Sequence, residues 1–103
     1  MASACLHLLE LPEDRLAALV NDRAPPLVNV GSGQDLTIRE LADRVRAIVG
    51  TDATVAWDAS KPDGTPRKLL DVRRLNALGW RPSIALDDGI RRAYANYLAT
   101  AGG

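Results

Sequence analysis

Between Asp58 and Asp71 the chain gathers three cations, Lys61, Arg67 and Lys68, and three carboxylates, Asp58, Asp63 and Asp71. The stretch reads Asp58-Ala59-Ser60-Lys61-Pro62-Asp63-Gly64-Thr65-Pro66-Arg67-Lys68-Leu69-Leu70-Asp71. Pro62 and Pro66 remove backbone donors and push the residues before them out of the helical region, so these side chains ride on a restrained loop. Cations on such a backbone suit a diphosphate, and a carboxylate among them suits sugar hydroxyls or base amino groups. The plain alternative is a solvated loop whose charges pair with one another, Lys61 and Arg67 with Asp58 or Asp71. Residue types alone leave both readings standing.

The elements that must hold this loop can be read on either side of it. Residues 2–10 predict a short helix with Cys5, Leu8 and Leu9 able to share a face, and His7 pointing away into solvent. Glu13 to Arg23 holds one or two further turns, and Pro25-Pro26 forces extended backbone. Leu27-Val28-Asn29-Val30 reads as a strand stopped by Gly31. Thr37-Ile38-Arg39-Glu40 is a capping box opening a helix, and Ile38, Leu41, Ala42, Val45, Ile48 and Val49 form its apolar stripe up to Gly50. On its outer face Glu40 and Arg44 form an i,i+4 pair. Ala53 to Trp57 reads as a second strand. Asp71 caps a short helix through Leu78, and a last helix runs from about Asp87 to Ala99, with Ile90, Ala93, Tyr94, Tyr97 and Leu98 inward. Ala85 before it offers no side-chain cap.

Strand, helix and strand over 27–57 predict a β-α-β unit with parallel pairing and a right-handed crossover. The fold class expected is therefore α/β: a small βαβ-containing domain with flanking helices, one domain over residues 1–103. Both Gly31-Ser32-Gly33 and the 58–71 loop would leave from the carboxyl ends of strands, where open parallel sheets place their ligands.

Composition narrows the partners. Thirteen basic and thirteen acidic residues cancel, which gives no general case for nucleic acid or an anionic membrane. No apolar run approaches the ~20 residues of a membrane span, and the start lacks the pattern of a signal peptide. The single cysteine excludes an internal disulfide and fits a reducing cytoplasm. Cys5 and His7 supply too few soft ligands for a structural metal. With no Phe, Trp57, Trp80, Tyr94, Tyr97 and the aliphatics must build the core. Gly31-Ser32-Gly33 lacks the third glycine of a dinucleotide fingerprint and reads as a turn.

The run Lys61 to Asp71 closely resembles the C-terminal part of the GDP-L-fucose synthase family, NADPH-dependent epimerase-reductases of the extended short-chain dehydrogenase type. Val28-Asn29-Val30-Gly31-Ser32-Gly33, Leu36-Thr37-Ile38-Arg39-Glu40-Leu41-Ala42 and Leu78-Gly79-Trp80-Arg81-Pro82 agree with it in order, as does Met1-Ala2-Ser3-Ala4-Cys5. The resemblance implies a substrate-binding domain lacking the family's N-terminal Rossmann domain. It matches Asp63 to a substrate-contacting aspartate and Lys68 to a lysine near the diphosphate of a GDP-sugar, with Arg67 and Lys61 as helpers. It also implies what this chain does not carry. The family's Tyr-x-x-x-Lys pair has no counterpart, because Leu98 and Ala101 stand four residues after Tyr94 and Tyr97. Cys5 and His7 fall outside the motifs of the epimerising residues. No catalytic residue, NADPH site or metal site is expected here, so the chain alone is expected to be inactive. A stand-alone interaction or oligomerisation module is the alternative. The start at Met1, where the family's helix is already under way, favours truncation, and the first helix is expected to leave an apolar patch that drives homo-oligomerisation.

Overall fold

A computed structural model describes residues 1–102. Its helices are α1 (Ala2–Leu9), α2 (Glu13–Leu19), α3 (Ile38–Val49), α4 (Arg73–Ala77) and α5 (Leu86–Ala101). The chain divides into two compact units, each built from two stretches. Met1–Asp35 with Lys68–Pro82 holds α1, α2 and α4, while Leu36–Arg67 with Ser83–Gly103 holds α3 and α5.

The expected β-α-β unit does not form. Among the described residues the one β feature is an isolated antiparallel bridge, Asn21 to Ala24, so the α/β fold class gives way to a helical one. The physical reason at 27–30 is that the backbone is engaged otherwise. The Arg74 guanidinium donates to the carbonyls of Pro25 at 2.9 Å and Leu27 at 2.7 Å. The Leu27 N–H turns back on the Pro25 carbonyl at 2.7 Å, and the prolines at 25 and 26 have no N–H to offer a ladder. Residues 53–57 form no strand either; the Ala53 N–H donates to Thr51 Oγ1 at 3.2 Å. β-branched composition makes a segment fit a sheet without supplying the sheet.

The first unit centres on Ala4 of α1 and Leu75 of α4, both fully buried. His7, Leu8, Leu11, Leu19, Val28, Val30, Val72, Leu78 and Trp80 are half-buried. The inward side of α1 is thus Ala4 with His7 and Leu8, while Cys5 and Leu9 are exposed. His7 is not the solvated residue the helical spacing implied: its Nε2–H donates to the Leu78 carbonyl at 2.7 Å. Trp80 Nε1–H donates to Ser3 Oγ at 3.2 Å, a second tie from α1 to the segment after α4.

In the second unit α3 packs against α5. The capping box is present in full: the Glu40 N–H donates to Thr37 Oγ1 at 3.1 Å, and the Thr37 N–H donates to the Glu40 carboxylate at 2.7 Å. Gly50 closes the helix in the left-handed conformation at φ 73°, which a residue without Cβ adopts at no steric cost. Arg44 reaches Asp87 of α5 at 3.2 Å. Ala85 caps α5 with no side-chain bond, since Asp87 faces Arg44 and Asp88 pairs with Arg91 at 3.0 Å. Ile90 and Tyr94 are half-buried on α5, whereas Ala93, Tyr97 and Leu98 are exposed. Trp57 is not core either: it is half exposed, with the Arg39 guanidinium 5.0 Å from its ring centre.

Candidate functional site

The 58–71 loop has neither helix nor strand, as two prolines dictate. Its first turn is built by Asp58. The Asp58 carboxylate accepts the Ser60 hydroxyl at 2.6 Å and the Ser60 N–H at 3.0 Å, and its carbonyl accepts the Lys61 N–H at 3.3 Å. The Ser60 hydroxyl, followed by its N–H, holds the Asp58 pKa below the usual carboxylate value. At the far end Asp71 is engaged by Arg73, whose backbone N–H it accepts at 3.1 Å. That bond starts α4 from the position before its N-cap, Val72. The guanidinium of Arg73, then its N–H, brings Asp71 down to about 2.

These local bonds decide how the remaining charges stand. Lys61, Asp63, Arg67 and Lys68 are all exposed. Asp58 is turned to Ser60 and Asp71 to Arg73, so neither forms an ion pair with Lys61 or Lys68. Lys61, Asp63 and Lys68 make no side-chain hydrogen bond or ion pair among the described residues. Lys61, Asp63 and Arg67 belong to the second unit, and Lys68 opens the returning stretch of the first. An ammonium carrying no protein partner, on a chain segment held at both ends, is chemically suited to an anionic oxygen.

Gly31-Ser32-Gly33 is the remaining place where a nicotinamide dinucleotide could sit, and its packing does not fit one. A Cβ on Gly31 would lie 3.4 Å from Val72 Cγ1 and 3.6 Å from Leu70 Cδ1; one on Gly33 would lie 3.1 Å from Val72 Cγ2. The glycines make room for these side chains. Gly33 has φ +77°, Ser32 Oγ is tied to Gln34 through its carbonyl at 3.1 Å and its N–H at 3.3 Å, and the next helix begins only at Ile38. A pyrophosphate cradle needs the helix N-terminus directly after the glycines.

Sequence reasoning missed two anchoring residues of the first unit. Arg74 holds the 25–27 backbone, and Asn29 Nδ2 donates to the Asp71 carbonyl at 3.3 Å. Both act across more than forty positions, where no local pattern marks them. No helix among the described residues is long and apolar enough to cross a membrane.

With this geometry in view, the comparisons are specific. No family model matches the chain. It is 47% identical over 98 residues to GDP-L-fucose synthase 1 of Arabidopsis thaliana, covering 95% of this chain and 27% of that enzyme. It is 47% identical over 100 residues to the GDP-L-fucose synthase of Escherichia coli K12, covering 95% of this chain and 30% of the enzyme. GDP-L-colitose synthase of Yersinia pseudotuberculosis is 38% identical over 76 residues, 74% of this chain and 25% of the enzyme. The match falls on the C-terminal portion of these nucleotide-sugar enzymes. The chain belongs to the GDP-L-fucose synthase family and spans under a third of the length of these relatives.

Proposed function

We propose that the chain is the GDP-sugar-binding portion of a GDP-L-fucose synthase-like enzyme and performs no chemistry by itself. In the whole family enzyme the reaction converts GDP-4-keto-6-deoxymannose to GDP-L-fucose with NADPH, in the cytoplasm. Here Lys68 meets the diphosphate, Arg67 and Lys61 are helpers, and Asp63 accepts from hydroxyl or amino groups of the sugar nucleotide. The single observation that supports this reading most is that Lys61, Asp63 and Lys68 make no side-chain hydrogen bond or ion pair among the described residues, while Asp58 is turned to Ser60 and Asp71 to Arg73. Charges serving only to brace the loop would be paired with each other.

The test is a hybrid in which this chain replaces the matching C-terminal portion of the Escherichia coli enzyme. The hybrid is expected to bind GDP by calorimetry and to oxidise NADPH with the keto-sugar substrate. The chain alone is expected to oxidise none. A folded hybrid that fails to bind GDP would overturn the reading, as would turnover by the isolated chain.

A further inference from the structure

The 58–71 loop holds one glycine that the chain itself does not explain. Among the described residues Gly33, Gly50 and Gly79 take positive φ, and a Cβ on Gly31, Gly89 or Gly102 would meet a neighbour within 4 Å. Gly64 has neither reason: its φ is not positive, and a Cβ there would meet nothing within 4 Å. It is exposed and stands midway between Pro62 and Pro66. The two prolines narrow the conformations open to the unfolded loop, while a glycine between them widens the choice again and adds to the entropy lost on folding. A glycine that works against its neighbours in this way, with free space where its Cβ would be, fits a group from outside the chain that needs that space.

The backbone at this point is open as well. The N–H groups of Asp63, Gly64 and Thr65 donate to no acceptor among the described residues, and the flanking prolines have no N–H. A main-chain N–H with no Cβ beside it lets an anionic oxygen come to hydrogen-bond distance, which is a use of glycine wherever backbone meets a ligand closely. The Asp63 carboxylate opposes an anion here, but Lys61, Arg67 and Lys68 outnumber it between positions 61 and 68. Resting on the assignment of this loop to the sugar nucleotide, we infer that the Gly64 N–H donates to a phosphate oxygen of the bound GDP-sugar, and that position 64 is glycine so that the diphosphate can lie against its Cα.

Gly64→Ala is the test, because nothing in the chain opposes it. The Tm of the isolated chain and of the hybrid enzyme should hold or rise slightly, as when a loop glycine is replaced without strain. GDP binding to the hybrid should weaken by about tenfold or more, the loss expected when a charged acceptor is lifted from one donor. Inorganic pyrophosphate, measured as a competitor of GDP, should weaken by a similar factor. Unchanged GDP affinity would overturn the inference, and a Lys68→Ala hybrid that still loses affinity would show that the loop assignment survives it. A parent hybrid that binds no GDP would remove both. Pyrophosphate that fails to compete in the parent, or that competes equally well after Gly64→Ala, would put the diphosphate elsewhere and overturn the inference. So would a Tm that falls in the hybrid alone, since Gly64 would then make room for the rest of the enzyme. If the hybrid does not fold, the decision passes to the isotope-labelled chain, where GDP and pyrophosphate at high concentration should each shift the Gly64 amide resonance; an unmoved resonance would overturn the inference.

Discussion

The Asp71 carboxylate is gripped by Arg73: Nε donates to Oδ1 and Oδ2 at 3.0 Å each, and Nη2 donates to Oδ2 at 2.6 Å. The nearest basic residue before it, Lys68, is thereby left without this carboxylate. One local pairing thus both begins α4 and separates the loop's functional reading from its structural one.

That grip has a pH signature. The Asp71 pKa is lowered from 3.8 to about 2, so its contribution to stability is complete above 3.8 and is lost as pH falls toward 2. Unfolding midpoints measured across this interval should decline, and Asp71→Asn should remove part of the decline while lowering stability at neutral pH. Asp58, shifted in the same direction by Ser60, adds to the acid sensitivity that remains. An Asp71→Asn variant with the parent's full acid dependence would contradict the assignment.

His7 ties α1 to the end of α4 through the Leu78 carbonyl at 2.7 Å. Since a carbonyl only accepts, Nε2 carries the proton. His7→Ala removes the donor and leaves that half-buried acceptor unmet, at a cost of about 1–2 kcal/mol. Urea unfolding is the measurement, with Cys5→Ala as the control: Cys5 lies on the exposed side of the same helix, and its replacement should change stability little.

Gly33 should resist substitution for a packing reason and not because it meets a cofactor. At φ +77°, with Val72 Cγ2 3.1 Å from the place of a Cβ, Gly33→Ala is strained and crowded. It should destabilise by about 1 kcal/mol or more. NADPH titrated into the isolated chain and followed by its own fluorescence should show no saturable binding, before or after the change. Saturable binding that Gly33→Ala abolishes would restore the dinucleotide reading.

The capping signals of α3 are local and agree with the structure. Thr37 and Glu40 stand three apart and define the start of α3, and Gly50 defines its end. The information for both lies within one helix length. The strand assignments at 27–30 and 53–57 failed because pairing is not a local property. Val28 and Val30 have the composition of a strand, but Arg74, almost fifty positions away, takes the carbonyls beside them. A separation of 71 positions likewise hides the bond from His7 to Leu78. In the loop, Asp58 with Ser60 and Asp71 with Arg73 are two-residue spacings that a turn-based reading can find. Composition instead offers Lys61 and Arg67 as their partners.

The apolar surface of α1 should be sticky. Leu6 is 58% exposed and Leu9 82% exposed, on the side away from buried Ala4. Neighbouring exposed apolar side chains promote self-association of an isolated chain, so light scattering should report a dimer or larger species that dissociates on dilution. Leu9→Glu should shift the chain toward monomer without loss of helix content. A parent chain that is monomeric at high concentration would remove this surface as the cause of any assembly.

Lys68 and Asp63 carry the sharpest test of the substrate loop, made in the hybrid enzyme. A lysine on a diphosphate makes the same contact in the ground state and the transition state, so Lys68→Ala should raise KM and leave kcat nearly unchanged. The loss of one charge-assisted bond, about 1.5–3 kcal/mol, corresponds to roughly ten- to a hundredfold weaker GDP binding. Asp63→Asn keeps the shape and removes the charge, so it should weaken GDP-sugar binding as well. Neither residue has a protein partner to lose among the described residues, so neither change should move Tm. Bracing residues would behave in the opposite way: Tm would fall in both variants, and the folded fraction would bind GDP-sugar as before. Measuring Tm and Kd on the same preparations separates the two cases, and unchanged affinity in both variants would end the assignment of this loop to the sugar nucleotide.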